Sequence, residues 1–205
     1  MKRLRMYKVM VFYVLSLVTP LATDAAAESP TTQIRSTVSQ VIKLLTDPSL
    51  QGETQKAERH NLLRQTIFAR FDFQEMAKRS LGSHWRQLAV DEQNQFVVLF
   101  RDLLEKAYVD RIESYNKERF IYTNEKIDEP YAEVGSQILT AKGEKFSIQY
   151  RLLRVGDQWK IYDVVVEDIS LVNNYRSQFN RIISRSSYAE LVQSMKDKLA
   201  KYSGK

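Results

Sequence analysis

Apolar residues in this chain change their spacing twice, and the second change leaves almost no room for a loop. Val164 and Val166 alternate with other side chains as strand residues do, whereas Leu171, Val172, Tyr175, Phe179, Ile182 and Ile183 recur at helical spacing. Ser170 stands at the joint, where its hydroxyl is placed to cap the first free N–H groups of the coming helix. A chain that turns this sharply lays an apolar helix over the end of a sheet, so strands and helices belong to one packed unit.

The same two periods divide the rest of the chain. Ile34, Val38, Val41, Ile42 and Leu45 make one helical stripe that ends at Asp47-Pro48-Ser49. A second helical pattern, from Glu53 to Arg70, carries Leu62, Leu63, Ile67 and Phe68. Asp72 is the expected N-cap of a short helix, with Glu75 as its reciprocal partner and Gly82 as its stop. The longest helix is expected from Asp91 to Tyr115. After Pro130 the period becomes two: residues 131–140 and 145–154 alternate around the turn Ala141-Lys142-Gly143-Glu144, and a third strand starts at Trp159. Phe146, Ile148, Tyr150 and Leu152 share one face of the second of these strands, so the sheet has one dry side. An earlier strand is expected around residues 120–123, and helices are expected from Ser170 to Arg185 and from Tyr188 to Lys201. The expected fold class is α+β: a curved antiparallel sheet of about four strands with helices packed on its apolar face, a cone able to hold a pocket.

The N-terminus sets the compartment. Lys2, Arg3, Arg5 and Lys8 precede the apolar run Val9 to Val18, and Ala25-Ala26-Ala27 supplies the small residues a signal peptidase reads. That run is shorter than the ~20 residues needed to span a bilayer. Residues 1–27 are therefore expected to be a cleaved signal peptide and residues 28–205 one exported, soluble domain. Cleavage also corrects the charge. The chain has 31 Lys and Arg against 25 Asp and Glu; residues 1–27 hold four and one of these, which leaves 27 against 24. A net charge of +3 on an exported protein gives no case for nucleic acid. The chain has no cysteine, so neither a disulfide frame nor a lipid anchor on cysteine is available.

Chemistry is sparse. His60 and His84 lie far apart with no cysteine to join them, so no metal site and no cofactor is expected, and no nucleophile elbow, phosphate-binding loop or dinucleotide fingerprint occurs. Asp163 interrupts the apolar strand near Tyr150 and Tyr162, where it either acts as a general base in a cone-shaped enzyme or pairs with Arg151 or Arg154. The basic residues of the last two helices, Arg176 among them, either face solvent or attract anionic headgroups or an acidic partner.

Four stretches carry a resemblance: "FDFQEMAKRSLGSHW" (71–85), "QFVVLFRDLLEKAY" (95–108), "FSIQYRLLRVGDQWKIYDVVVEDISLVNNYRSQF" (146–179) and "AELVQSMKDKL" (189–199). In order and spacing they resemble the MlaC or toluene-tolerance family, across nearly all of the mature chain. Asp168 stands where that family usually carries a glycine before the Ile-Ser pair, a position Asp tolerates better than most residues. The resemblance implies a periplasmic, non-catalytic phospholipid carrier that serves outer-membrane lipid asymmetry. Its implied partners are an outer-membrane lipoprotein complex and the hexameric lipid-binding ring of an inner-membrane ABC transporter. A hopanoid or another polycyclic lipid is the alternative cargo. On this reading Leu171, Tyr175 and Phe179 form a pocket wall turned toward Ile148, Tyr150 and Leu152, with Leu103, Tyr108, Val164 and Val166 as further lining and Arg176 at the headgroup or docking surface. On the plainer reading the same apolar residues fill a core. Burying a methylene is worth ~0.8 kcal/mol, so two acyl chains of about thirty methylenes carry on the order of 24 kcal/mol, and such a lipid needs an escort through water.

Overall fold

Ser29 opens the first helix of the computed structural model, which describes residues 28–115 and 117–203. Its hydroxyl accepts from the Thr32 N–H at 3.2 Å, and Pro30 takes a first-turn position where a missing N–H costs nothing, so α1 runs Pro30–Thr46. The expected signal peptide, residues 1–27, lies outside the described residues. Three further helices precede the sheet: α2 (Lys56–Phe68), α3 (Phe73–Leu81) and α4 (Val90–Glu113). Asp72 caps α3, its Oδ1 accepting from the Glu75 N–H at 2.9 Å, and Gly82 ends the helix at φ 57°. Glu75 does not reciprocate; its carboxylate takes Arg79 at 2.8 Å and Lys78 at 3.1 Å along the same helix. No helix among the described residues is long and apolar enough to cross a membrane.

The sheet is an antiparallel meander in which each strand lies beside its sequence neighbours: β1 (Arg119–Asp128), β2 (Tyr131–Leu139), β3 (Lys145–Val155), β4 (Gln158–Val166) and β5 (Ile169–Ser170). The fifth strand, beyond the expected four, is the two-residue return that leads to Ser170. Register lines up the dry face in rows across β1 to β4: Ile127, Ala132, Leu152 and Ile161; then Glu125, Val134, Tyr150 and Val164; then Tyr122, Ser136, Ile148 and Val166. Phe120, Ile138 and Phe146 complete a last row across three strands. Two bulges keep these rows in phase, one at Thr123 in β1 and one at Tyr162 in β4. Gly135 lies opposite the first bulge, and a Cβ there would collide with the Asn124 side chain.

The second bulge has the larger consequence. Trp159, Ile161, Asp163 and Val165 are buried in turn, which looks like one unbroken alternation. The extra residue changes the face halfway. Trp159 and Ile161 pack beneath α1 with Ile34, whereas Asp163 and Val165 point to the opposite side, where the first turn of the next helix meets β4.

Two cores result. The sheet core joins Ile34 of α1 to Ala132, Val134, Leu152, Trp159 and Ile161. The helical core packs Met76, Phe96, Phe100, Leu103, Phe179 and Leu191 from α3, α4, α5 (Leu171–Arg185) and α6 (Tyr188–Ser203), with Trp85 from the 3-10 turn Gly82–Gln87. Phe71 touches both. Its flanking backbone runs along the free edge of β4: the Ile161 N–H donates to Arg70 O at 2.9 Å and the Asp72 N–H to Ile161 O at 2.8 Å. Gln33, 5% exposed, clamps the same corner. Its Oε1 accepts from Arg70 Nη1 at 2.6 Å and from the Trp159 N–H at 3.0 Å, while its Nε2 donates to the Glu28 and Asp157 carbonyls, both at 3.2 Å. The helices expected on the dry face after the sheet thus pack elsewhere, and α1 covers one end of that face.

Candidate functional site

One end of the dry face is fully buried and the other only in part. Beneath α1, Ala132, Val134, Leu152, Trp159 and Ile161 are at most 3% exposed. Toward the opposite end, Phe120, Ile138, Ile148 and Val164 are only half-buried, while Phe146 is 40% and Val166 42% exposed. Ile169, paired with Val166 in β5, continues the strip. Isolated exposed apolar residues are ordinary on a protein surface, but a strip that is continuous across several strands marks a surface built to be covered.

Hydroxyls mark the border between the two ends. Ser136 is 2% exposed, yet its Oγ has no hydrogen-bond partner, and neither has the buried hydroxyl of Tyr122 in the same row. Tyr150 stands diagonally across from Ser136, and burial pushes its phenol up to about 12; Ser136 lies near enough to temper that rise without meeting hydrogen-bond geometry. Burial also raises the Tyr122 phenol, partly offset by the Arg35 guanidinium 4.5 Å over its ring. All three phenolic and alcoholic groups therefore keep their protons at neutral pH and can donate.

The expected wall of α5 residues lies elsewhere. Tyr175 and Phe179 do not face Ile148, Tyr150 and Leu152; their rings pack on Phe100 at 5.1 and 5.5 Å inside the helical core. Leu103 is buried in that same core, with Tyr108 and Leu171 half-buried at its margin. Leu152 is fully buried beneath α1. Of the residues expected to line a pocket, Ile148, Val164 and Val166 come together on the open strip, with Tyr150 at its border.

Asp163 explains the displacement of α5. Its Oδ1 accepts from the Val172 N–H at 3.0 Å, and its Oδ2 accepts from Ser170 Oγ at 2.7 Å and Arg151 Nη1 at 3.2 Å. Ser170 Oγ in turn accepts from the Asn173 N–H at 3.0 Å, the cap expected from sequence. This buried carboxylate anchors the helix start to the face of the sheet opposite the strip. The preceding turn is tight despite having no glycine: Glu167 at φ 46° and Asp168 at φ 63° form a two-residue connection between Val166 and Ile169. The Glu167 carboxylate accepts from both the Ser147 N–H and Ser147 Oγ, which hold its pKa below the usual carboxylate range.

Beside Asp163 opens a charged cleft of about 720 Å³, bordered by Arg79, Arg86, Glu133, Arg151, Tyr162 and Arg176. Arg79 lies over the Tyr162 ring at 4.1 Å, and Glu133 stands 3.6 Å from Arg151. The Arg176 guanidinium rests on Gly82, where a Cβ would approach its Nε to 3.0 Å. His60 stands 3.5 Å from Glu105 and His84 lies 3.1 Å from Asn180, and among the described residues no group of three or more potential ligands is placed to hold a metal ion.

Comparison with known proteins adds to this geometry. The family model described as MlaC protein matches residues 35–197. The chain is 25% identical over 169 residues, 82% of its own length and 78% of the relative's, to the toluene tolerance protein ttg2D of Pseudomonas putida. It is 20% identical over 139 residues, 65% of each protein, to the intermembrane phospholipid transport system binding protein MlaC of Haemophilus influenzae. Its backbone superposes with a TM-score of 0.76 and 25% identity on a phospholipid-binding protein of Ralstonia solanacearum solved in complex with a phospholipid, covering 86% of this chain and 99% of that one.

Proposed function

The chain belongs to the MlaC family, and from that premise we propose that it is a periplasmic carrier of phospholipid without catalytic activity. The observation that carries the reading is the less buried end of the dry face, where Ile148, Val164 and Val166 offer acyl chains an apolar bed that is still partly exposed. Hydrocarbon laid on that strip removes two apolar surfaces from water at once, at about 25 cal/mol per Å². The traffic proposed for it runs between outer and inner membrane and maintains outer-membrane lipid asymmetry, with an outer-membrane lipoprotein complex and the ring of an inner-membrane ABC transporter as partners. Arg176 belongs to docking in this scheme. It lines a cleft beside Asp163, across the sheet from the strip, and stays accessible while lipid is carried. Asp163 spends both carboxylate oxygens on the start of α5, which supports a structural role over that of a base.

The mature protein, purified from its host without detergent and extracted with organic solvent, is expected to release stoichiometric phospholipid in mass spectrometry. An extract free of lipid overturns the proposal, and one dominated by a polycyclic lipid moves it to a different cargo. Ile148→Glu places a charge in the middle of the strip and is expected to abolish loading.

A further inference from the structure

Row three of the dry face reads, from β4 to β1, Val166, Ile148, Ser136, Tyr122. Arg35 of α1 follows, its guanidinium over the Tyr122 ring and no carboxylate of the described residues paired with it. Strands lie ~4.8 Å apart, so apolar side chains, two hydroxyls and a cation succeed one another in steps of about 5 Å. A diacyl glycerophospholipid has the same order: hydrocarbon, ester carbonyls, phosphate. Ser136 and Tyr122, like Ser80 elsewhere, bury hydroxyls that find no partner within hydrogen-bond geometry among the described residues, with Tyr150 the nearest candidate for Ser136, although buried hydroxyls are almost always hydrogen-bonded. A bound group rich in acceptors would supply one. An ester carbonyl only accepts, and both hydroxyls carry protons to give.

We propose that Tyr122 and Ser136 receive the ester carbonyls of a diacyl lipid whose chains lie along Ile148 and Val166, with Arg35 beside its phosphate. This rests on the carrier reading and adds a chemical selectivity to it: ester-linked lipids are preferred over ether-linked lipids of equal chain length and headgroup, because an ether oxygen is a far poorer acceptor. The hydroxyls fix the depth of the lipid in the strip, and Arg35 attracts any phosphate alike.

The test presents the mature protein with vesicles made of equal parts diacyl and dialkyl phosphatidylglycerol, then reads the lipid on the re-isolated protein by mass spectrometry. Two well-made hydrogen bonds lead to an expected ester-to-ether ratio of about tenfold. Tyr122→Phe combined with Ser136→Ala is expected to bring that ratio near one, chiefly by lowering ester lipid uptake. Arg35→Gln is expected to lower uptake of both lipids and leave the ratio alone. A wild-type ratio near one with ample uptake overturns the hydroxyl assignment and leaves the carrier reading standing. Uptake of neither lipid overturns the carrier reading, and this one with it. The melting temperature of the lipid-free double variant is a second readout: no fall is expected where no internal bond is lost, and a marked fall means that the hydroxyls bond within the protein, which overturns the assignment.

Discussion

Leu152 and Ile148 lie on one face of one strand, four residues apart, and differ in how deeply they are covered. Leu152 is fully buried beneath Ile34 of α1, whereas Ile148 is half-buried at the start of the open strip. Both ends of the face are written in the same alternation of apolar and polar residues. Alternation therefore specifies which side of a sheet is dry, and something distant in the chain specifies what covers it; here Ser29 and Gln33 seat α1 chiefly over one end. The sharpest way to break this comparison is to empty both positions. Leu152→Ala is expected to cost about 2–5 kcal/mol of stability in urea unfolding, as a filled core site does. Ile148→Ala is expected to cost less, about 1–2 kcal/mol in lipid-free protein, since part of its surface is already wet, yet to reduce lipid uptake. Equal costs at the two positions would make the whole face ordinary core.

Asp163 decides why α5 leaves the open end free, and its removal is the next largest expected effect. Asp163→Ala strips the Val172 N–H and Ser170 Oγ of an acceptor and leaves Arg151 with a single, more distant carboxylate on Glu133. The expected loss is about 2–3 kcal/mol, held to the lower range because Arg151 is 32% exposed and partly screened. Asp163→Asn keeps an acceptor for the helix and is expected to lose less. Should Asp163→Ala unfold at the wild-type urea concentration, packing alone would be placing α5.

Tyr150, on the border, separates the two ends by titration. Its folded phenol is pushed to about 12 against a value near 10 in the unfolded chain. Below pH 10 both states hold the proton and burial contributes in full. As pH rises from 10 toward 12 the unfolded chain ionises first, so stability falls by roughly 2–3 kcal/mol for this one group. Tyr175 and Tyr188, also near 12, add the same trend from the helical core. Unfolding measured between pH 9 and 12 is expected to show a shallower fall in Tyr150→Phe, and an unchanged fall would mean that Tyr150 is hydrated through the strip.

Helix ends, turns and the dry side of β3 could be read from the sequence because each depends on residues close together: Ser170 caps α5 three residues before the N–H it accepts from, and Gly82 closes α3. The placement of α5 could not. A bulge at Tyr162 is invisible in the run from Trp159 to Val166, where burial alternates without a break while the face changes beneath it. Tyr175 and Phe179 were therefore expected over the sheet, since helical spacing says that they share a face and is silent on which core that face meets. The partnerless hydroxyls of Tyr122 and Ser136 were equally hidden, because a missing partner is a property of surroundings. Asp163 was open to two readings, and only its three bonds separate them.

The smallest expected effect concerns the turn that joins the open end to α5. Both of its residues sit at positive φ, where a side chain costs roughly 1–2 kcal/mol relative to glycine, though less for Asp than for most. Among the described residues Asp168 has no side-chain bond that would repay this strain, so Asp168→Gly is expected to raise stability by about 0.5–1 kcal/mol after the added freedom of the unfolded glycine is counted. Glu167 has the same backbone conformation, but its carboxylate ties β4 back to Ser147 of β3, so Glu167→Gly relieves strain and loses two hydrogen bonds together, with little or no net gain expected. Thermal unfolding of the two variants side by side checks the pair, and lipid uptake by Asp168→Gly should match wild type. A change in uptake would mean that the turn moves Val166 and Ile169, and that the edge of the strip is set by strain in its connection to the helix.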